Sequence, residues 1–426
     1  MTKTTTTLMT NGNSIFPIQN ASACVFKWGW NTFRLYNGKS SSCHRVTPVQ
    51  ISADTFDSFH NTPEVVDDRQ RMLRGEWPKS GRGCEYCKNI EDAGGTSDRL
   101  YHNNIPGLTP EDFGTGELEV TPRISEIYLN NTCDLACVYC LPMFSSKINQ
   151  ELKKFGPYPI GIAAVDKTSQ RDELFALYID WLKNNGSKLS RLSILGGEPL
   201  LQNELWQILE ILPGLKNKNL ELAVNTNLNS SIETVQRFVS VSKDLTVSRA
   251  VKQVHISASL DCWGPQAEFV RHGLKLENWQ RNFEFLMQHR WLSLSVHQVL
   301  TSLTIKTAID LQRKIAEYKK TNPKILQDYH VVDSGLEKIY HPDIFGKDFF
   351  QDQLNMLLDE FPVATEWDNQ SRKRLDGIVR LFATGDMQID RLQMLKQTLN
   401  MIDQRRSTDW KSLWPEINQY FSENNI

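Results

Sequence analysis

The chain has 426 residues, of which 40% are hydrophobic and 23% are charged, and its formal net charge at pH 7 is −2. These proportions are ordinary for a globular protein of one large domain or a few smaller ones. The near-neutral charge gives no electrostatic basis for binding nucleic acid or a membrane surface, so neither is expected as a partner. The first residues lack the apolar core of a signal peptide, and no apolar run is long enough for a membrane span. We therefore expect a cytoplasmic protein whose thiols stay reduced.

Changes of composition along the chain predict four regions. Residues 1–23 are rich in Thr, Asn and Ser and are expected to be flexible, and residues 24–115 are cysteine-rich and irregular. Residues 116–335 alternate between strand-like and helical patterns. Residues 336–426 are polar and helical in pattern, with Trp410 and Trp414 as expected anchors.

The third region predicts repeated strand–helix units. The predicted strands are 124–129, 189–195, 220–224, 251–260, 292–300 and 325–332. The predicted helices are 171–184, 200–212, 232–240, 276–289 and 305–318. Such units imply a parallel sheet with right-handed crossovers. Six units are too few for a closed eight-stranded barrel, so they favour a partial (β/α)6 barrel, with a doubly wound sheet as the alternative.

The second region carries four cysteines: Cys24, Cys43, Cys84 and Cys87. The last two have the spacing of a metal knuckle, and the two upstream cysteines complete four ligands. A structural zinc ribbon is one reading, because an irregular segment needs a metal centre to hold it together. Residues 24–30 are compatible with a strand, and residues 62–74 predict a helix that opens with Thr62 and Pro63.

Three further cysteines, Cys133, Cys137 and Cys140, follow the first predicted strand of the third region. Parallel α/β folds place their chemistry on loops at the carboxyl ends of strands. Three buried cysteines on one helix face are the alternative, but Asn131 before them and Pro142 after them favour a loop. No fourth zinc ligand is evident nearby, whereas three thiolates suit an iron–sulfur cluster that leaves one iron open.

The spacing Cys133-x3-Cys137-x-Tyr139-Cys140 resembles the signature of the radical S-adenosylmethionine (radical SAM) enzymes. The resemblance implies a partial (β/α)6 barrel and a 4Fe–4S cluster on the three cysteines, with SAM bound at the open iron. In that family, one electron from the cluster cleaves SAM to methionine and a 5′-deoxyadenosyl radical, which abstracts a hydrogen atom from the substrate. An electron donor such as flavodoxin or ferredoxin is implied as a partner.

Residues at the ends of later strands match the family's SAM contacts. The turn Gly196-Gly197-Glu198-Pro199 resembles the family's Gly-Gly-Glu-Pro motif, in which glycines let the backbone approach the SAM amine. Arg271 is a candidate clamp for the SAM carboxylate, with a surface arginine as the alternative. Candidate contacts to the SAM ribose or carboxylate, with helix capping as the alternative role, are Asn225, Asn227, Ser257, Ser259 and Asp261. Cys262 is interpreted as a lone buried cysteine rather than a radical-quenching thiol.

The four N-terminal cysteines, with Arg71–Glu76 before the knuckle, resemble the auxiliary-cluster module called SPASM, or its shorter form, twitch. In most relatives this module follows the barrel, whereas here it precedes it. The resemblance favours a second, fully coordinated 4Fe–4S cluster, and zinc remains the alternative.

The resemblance also implies a substrate class. Relatives with auxiliary clusters mostly modify ribosomally made peptides (RiPP maturation) or protein side chains. Their reactions include crosslinking, epimerisation, oxidation and excision of part of a tyrosine from the backbone, and the sequence does not choose among them. Since no precursor-binding domain is evident at the N-terminus, a peptide-presenting partner, recognition by the C-terminal helices or a substrate without a leader is expected. The alternatives are a radical SAM enzyme acting on a small molecule and a non-catalytic zinc or iron–sulfur protein.

Overall fold

The computed structural model describes residues 20–92, 94, 97–102, 117–332, 335–382 and 385–426, so most of the predicted flexible segment 1–23 lies outside the described residues. The described chain forms two compact units. The N-terminal unit contains the described residues up to Tyr128, together with Thr168–Ser193 and Ile211–Glu221. The C-terminal unit contains Leu129–Lys167, Ile194–Glu210 and Leu222–Ile426.

Strands and helices alternate through most of the chain. The strands are β1 (Trp30–Arg34), β2 (Lys39–Ser41), β3 (Val49–Gln50), β4 (Ile124–Tyr128), β5 (Ala136–Cys137), β6 (Arg191–Leu195), β7 (Glu221–Thr226), β8 (Gln253–Ser259), β9 (Arg271–His272), β10 (Ser293–Leu300) and β11 (Leu326–Val331). The helices are α1 (Val25–Gly29), α2 (Pro63–Leu73), α3 (Glu85–Asp92), α4 (Asp98–His102), α5 (Ser146–Phe155), α6 (Arg171–Asn185), α7 (Asn203–Ile211), α8 (Ile232–Val247), α9 (Pro265–Val270), α10 (Leu276–Met287), α11 (Ile305–Thr321), α12 (Gln351–Asp359), α13 (Glu366–Phe382), α14 (Ile389–Arg406), α15 (Trp410–Leu413) and α16 (Pro415–Glu423).

The strand order of the C-terminal unit bears on the two predicted sheets. Its strands lie in the order β7-β8-β10-β11, which is also their order along the chain. Strand β10 pairs in parallel with both β8 and β11. A doubly wound sheet reverses its strand order at a switch point, whereas a barrel winds in one direction. The predicted α/β fold with a parallel sheet is therefore confirmed, and the strand order favours the partial barrel over the doubly wound alternative.

The two faces of this sheet have different partners. On one face, Tyr329 of β11 is fully buried and donates its hydroxyl to Oε1 of Gln312 on α11 at 2.7 Å. On the other face, Ser295 of β10 hydrogen-bonds through Oγ to His255 Nε2 and Ser257 Oγ of β8, each at 2.9 Å. Because side chains alternate along a strand, this polar face is the one turned away from α11, toward the inside of the partial barrel.

In the N-terminal unit, the sheet order is β4-β1-β2-β3, with β1 parallel to β4 and antiparallel to β2. The predicted helix at 62–74 is confirmed by α2, which starts at Pro63. The strand reading of residues 24–30 is wrong, since Val25–Gly29 form a short helix and the strand begins at Trp30. All five residues of that helix are buried, so the run of apolar side chains reflects burial on every side rather than a strand.

One element of the C-terminal unit differs from the sequence predictions, and one expectation for this unit is confirmed. Helix α5 was not predicted, although Ser145 caps it by accepting from Ile148 N at 3.2 Å and Leu152 is buried. The expected C-terminal anchors are confirmed, because Trp410 and Trp414 are both fully buried. Trp414 also donates its indole N–H to Leu303 O at 3.0 Å. Within the described ranges, no helix is both long and apolar enough to cross a membrane.

The buried ion pair between Lys319 on α11 and Asp368 on α13 allows a test of how these two helices pack together. Their side chains are 4% and 1% exposed, and Asp368 also accepts from the backbone nitrogen of Thr365. We expect Asp368→Ala to lower the free energy of unfolding by about 3–5 kcal/mol, because it leaves a buried ammonium without a partner. Chemical denaturation followed by circular dichroism measures the change. Asp352→Ala on the exposed surface of α12 is the control, and a loss below about 1 kcal/mol for Asp368→Ala would contradict the packing.

Candidate cofactor site

The cysteine triplet lies on an extended loop of the C-terminal unit, as the sequence predicted. Cys137 is in the short strand β5, which pairs antiparallel with β9 so that Cys137 lies opposite Arg271. Cys137 is buried, whereas Cys133 and Cys140 are half-buried. The three thiols therefore sit on a strand-like loop with one side partly open, and the alternative of a cysteine-lined helix face is wrong.

The glycine turn after β6 packs backbone to backbone against the start of this loop. Gly197 has φ of 52°, and a Cβ at this position would lie 2.1 Å from Thr132 O. The next residue, Glu198, donates its backbone N–H to the same oxygen at 2.8 Å. Gln202 reinforces the contact, since its side-chain amide nitrogen Nε2 donates to Gly196 O at 2.6 Å and to Thr132 O at 3.2 Å. Only a glycine fits this approach, which fixes the residue immediately before Cys133.

The Glu198 side chain joins this turn to the end of β7. It is fully buried and accepts hydrogen bonds from Leu200 N at 3.1 Å, Thr226 Oγ1 at 2.7 Å and Asn227 N at 2.6 Å. Burial raises the pKa of Glu198 to about 7, while the three donated hydrogen bonds favour the ionised form. The predicted cofactor residue Glu198 thus orders neighbouring backbone with its carboxylate.

Asn227 connects Glu198 to the cysteine loop. Its Nδ2 donates to Asp134 Oδ1 at 2.8 Å and lies 3.9 Å from Cys133 Sγ. Asn229 donates to the second oxygen of the same carboxylate at 2.7 Å. Asp134 and Asn229 were missed from the sequence, although Asp134 lies inside the cysteine motif and Asn229 lies two residues beyond a predicted one.

A second buried network holds the other end of the loop. Asp261 is 0% exposed, and its carboxylate accepts from the Tyr139 hydroxyl at 2.7 Å and from Nε and Nη2 of Arg271 at 2.8 Å each. Val299 N also donates to Asp261 at 3.0 Å. Arg271 is 7% exposed, so the surface-arginine alternative is wrong. Its bidentate partner in the described residues is Asp261, the residue predicted separately as a SAM contact.

The remaining predicted SAM residues lie on β7, on β8 and in the glycine turn. Asn225 is half-buried on β7, and Pro199 is buried in the glycine turn. Ser257 and Ser259 lie on the inner face of β8, and the Ser257 hydroxyl is bonded to Ser295. Cys262 is fully buried, in agreement with its interpretation as a lone buried cysteine.

Arg406 is a residue of this site that no sequence signal could have revealed. It lies on α14, and its Nη1 donates to Ala136 O, the residue before Cys137, at 2.8 Å. Glu151 on α5 holds the guanidinium through Nε at 2.8 Å and Nη2 at 3.1 Å. Nearly the whole barrel separates Arg406 from the cysteines along the chain, so only the fold brings them together.

The electrostatics of the loop suit a metal centre that carries negative charge. Burial raises the pKa of Cys137 to about 11, and the charges of Arg271 and Arg406 oppose this rise. Burial, reinforced by Cys137, also raises the pKa of Cys133. Cys133 and Cys137 therefore hold their protons more tightly than free thiols do, and a metal centre that binds them must displace those protons. The donor set of three thiols fits an iron–sulfur cluster that leaves one iron open.

The N-terminal unit brings its four cysteines into mutual electrostatic range. Burial, followed by the charges of Cys43, Cys84 and Cys87, raises the pKa of Cys24. Gly83, with φ of 92°, packs so closely on the turn after Cys43 that a Cβ would lie 2.2 Å from Arg45 O. This contact packs the Cys84–Cys87 knuckle against the turn after Cys43, and the four cysteines remain the predicted ligands.

The close contact at Gly197 gives a test of the site's architecture. We expect Gly197→Ala to lower the free energy of unfolding by about 1–3 kcal/mol, since the added methyl must push Thr132 away. We also expect less iron per chain after anaerobic reconstitution, because Cys133 follows Thr132 directly.

Gly214→Ala is the matched control, because a Cβ there meets nothing within 4 Å. Denaturation and iron analysis measure both variants. If Gly197→Ala behaves like Gly214→Ala in both measurements, the turn does not hold the cysteine loop.

Comparison with known proteins adds a sequence relative. No protein-family profile matches the chain. The chain is 24% identical over 192 residues to the Methanococcus aeolicus protein named "Probable GTP 3′,8-cyclase", a match covering 45% of this chain and 58% of that protein. The chain thus matches little more than half the length of this curated relative.

Among solved structures, two of Streptococcus suis SuiB are similar. SuiB bound to the precursor peptide SuiA has a TM-score of 0.37 and 13% identity, covering 78% of this chain and 69% of that chain. SuiB bound to S-adenosylmethionine has a TM-score of 0.36 and 16% identity, covering 76% and 65%. At these TM-scores the structural likeness is too weak to carry an argument.

The cysteine spacing and the Gly-Gly-Glu-Pro turn lie one strand apart in the sequence, and in the structure their backbones are in direct contact. Both features stand on a parallel sheet whose strands follow one another in chain order. The chain also has a sequence relative that is named as a probable GTP 3′,8-cyclase. On these grounds the chain resembles the radical SAM superfamily in its cysteine motif, its glycine turn and its sheet order.

Proposed function

We propose that this protein is an enzyme that cleaves S-adenosylmethionine reductively and abstracts hydrogen from a peptide or protein substrate. Cys133, Cys137 and Cys140 would hold the 4Fe–4S cluster, and SAM would complete the coordination of the open iron. When bound, the cluster and SAM supply the 5′-deoxyadenosyl radical and release methionine. The observation that carries the proposal is the backbone contact between Gly197 and Thr132, which places a SAM-type glycine turn against the first cysteine.

The chain's own residues have separate tasks in this proposal. The Gly196–Gly197 backbone forms the surface that faces the amino acid end of SAM, while the Glu198 carboxylate holds Asn227 in place. Asn227 and Asn229 fix the Asp134 carboxylate beside Cys133. Tyr139, next to Cys140, is held through its hydroxyl by the buried Asp261.

Positive charge near Cys137 is part of the same arrangement. Arg271 is neutralised by Asp261 and Arg406 by Glu151, so each guanidinium enters the site as part of a buried pair. Removing one acid would leave a buried cation, at a cost of about 3–5 kcal/mol. The pairs therefore hold fixed dipoles beside the loop, which lower the cost of placing an anionic cluster there.

We further propose that Cys24, Cys43, Cys84 and Cys87 hold a second 4Fe–4S cluster. A single tetrahedral zinc ion with bonds of about 2.3 Å would hold its sulfurs about 3.8 Å apart. A cuboidal cluster, whose irons occupy separate corners, holds its cysteine sulfurs further apart, so the two centres differ in the spacing that they require. The resemblance to SPASM and twitch modules supports iron and sulfur over zinc.

The peptide or protein substrate rests on the resemblance of the N-terminal cysteine region to SPASM and twitch modules. A small molecule is the second candidate, and one observation favours it: the sequence relative from Methanococcus aeolicus is named for a reaction of GTP. A peptide-presenting partner and a flavodoxin or ferredoxin as electron donor belong to the first candidate.

Anaerobic incubation of the iron-loaded protein with SAM and dithionite tests the enzymatic proposal. We expect 5′-deoxyadenosine and methionine in equal amounts, detected by liquid chromatography and mass spectrometry. Co-expression with peptides encoded beside the gene, and incubation with GTP, then separate the two substrate classes by the mass of the product. A brown, iron-loaded protein that releases no 5′-deoxyadenosine would contradict both classes.

Removing the triplet tests the number and kind of metal centres. We expect the variant with Cys133, Cys137 and Cys140 all changed to alanine to retain about four irons per chain, because the N-terminal cluster is independent of the triplet. Iron and zinc analysis after anaerobic purification measures this. Retention of one zinc and almost no iron would show that the N-terminal cysteines form a zinc site.

Glu198→Gln tests whether the buried carboxylate organises the SAM site. Both carboxylate oxygens accept from a backbone N–H, so the amide NH2 of glutamine meets a donor in either orientation. An unsatisfied buried donor costs about 1–3 kcal/mol, and we expect SAM affinity to fall about tenfold or more as Asn227 shifts.

Equilibrium dialysis of SAM against the cluster-loaded protein measures this affinity. Glu210→Gln, an exposed residue on α7, is the matched control. Equal SAM affinities for the two variants would assign Glu198 a role in folding alone.

A further inference from the structure

A group of metal-ligating side chains lies on the inner face of the last two strands of the C-terminal unit. His297 is on β10, and Asp328 and His330 are on β11. Strand register pairs His297 with Asp328, and His330 lies two residues further along the same face. One ligand atom from each of the three residues lies within 4.8 Å of the others, the one such group of histidine, cysteine or acidic residues in the described ranges.

The distances in this group match those between ligands of one metal ion. His297 Nδ1 lies 3.1 Å from His330 Nε2, and His330 Nε2 lies 3.1 Å from Asp328 Oδ2. Ligand atoms bound at about 2.1 Å are about 3.0 Å apart at the edge of an octahedron and about 3.4 Å apart in a tetrahedron. The two imidazole rings are nearly parallel, with an interplanar angle of 11°, and these two nitrogens form the contact between them.

The group is accessible and lies at the same edge of the sheet as the cysteine loop. The His330 side chain is 38% exposed and that of Asp328 is 25% exposed. His330 pairs in register with Val299, whose backbone N–H donates to Asp261. Asp261 in turn holds Tyr139 of the cysteine loop. The three ligands thus face the space inside the barrel near the end where the cofactor loop lies.

Arg374 on α13 is the group that competes with a metal ion here. Its Nη1 lies 3.2 Å from Asp328 Oδ2, and its Nη2 lies 3.3 Å from His330 Nδ1. The contact to Asp328 resembles the second hydrogen bond that metal-bound carboxylates usually receive. The contact to His330 opposes binding, because a neutral imidazole that binds metal through Nε2 carries its proton on Nδ1. Arg374 therefore lowers the affinity, and displacement of its Nη2 accompanies binding.

The carboxylate is ready to act as an anionic ligand. Asp328 accepts from Nη1 of Arg374 at 3.2 Å and lies opposite His297 in the strand register, so its carboxylate faces both a cation and the imidazoles. Two imidazoles and one ionised carboxylate on one face are the donor set that suits Mn²⁺, Fe²⁺ or Zn²⁺ and leaves coordination positions open.

We propose that His297, Asp328 and His330 bind a divalent transition metal ion whose open positions take an oxygen- or nitrogen-bearing group of the substrate. The site is separate from both cysteine groups and does not depend on SAM cleavage, so its failure would leave the proposed function untouched. The ion would orient the substrate in the barrel by polarising the group it binds.

Mn²⁺ is the probe that tests this site in the cluster-loaded protein. It prefers carboxylate and imidazole ligands to thiolates, so it discriminates against cysteine sites. Loss of the free Mn²⁺ signal in electron paramagnetic resonance gives the number bound. We expect one Mn²⁺ per chain, and at least about tenfold weaker binding in His297→Ala and in His330→Ala. His289→Ala, which removes a histidine on another part of the C-terminal unit, should bind as the wild type does.

A variant that is expected to bind Mn²⁺ more tightly distinguishes loss of a metal ligand from loss of folding. Arg374→Met removes the competing cation, and we expect it to bind Mn²⁺ about tenfold more tightly or better. Wild-type protein and Arg374→Met that both leave millimolar Mn²⁺ free would overturn the proposal. Binding that is equal in wild type, His297→Ala and His330→Ala would overturn it as well, since the ion would then lie elsewhere.

Discussion

The close approach of Gly197 to Thr132 is the constraint on which the site depends. A backbone can come this near to another only where no Cβ intervenes, and the hydrogen bond from Glu198 N to Thr132 O then fixes the register of the two segments. Cys133 follows Thr132, so the position of the first thiol is set by main-chain geometry rather than by flexible side chains. A site built in this way keeps its geometry when thiols are deprotonated and charged.

Around that contact, two buried carboxylates and one half-buried carboxylate accept most of the polar contacts. Glu198 orders the backbone at the end of β7, Asp134 receives the amides of Asn227 and Asn229, and Asp261 holds Tyr139 and Arg271. Each is satisfied by several donors, which is the condition under which a buried carboxylate is tolerable, since an unpaired one costs several kcal/mol. The loop is thereby tied to β7, β8 and β9 at once, and its open side remains the place for a ligand.

The sequence predicted those parts of the molecule that depend on local pattern. The strands and helices of the barrel follow hydrophobic periodicity, and the Gly-Gly-Glu-Pro turn and the cysteine spacing are short motifs with a mechanical reason. Helix α1 was misread because its residues are buried on all sides and carry no period. Arg406, the Asp261–Arg271 pair and the cluster of His297, Asp328 and His330 could not be foreseen, because each depends on which strands and helices become neighbours.

The fourth coordination position left by Cys133, Cys137 and Cys140 is the proposed binding position of SAM. Electron–nuclear double resonance of the reduced cluster, with SAM carrying ¹⁵N at its amino group, is the sharpest test of this position. We expect a ¹⁵N hyperfine coupling to the cluster that disappears when the three cysteines are replaced by alanine. A reduced cluster whose spectrum is unchanged by labelled SAM, with no ¹⁵N coupling, would contradict it.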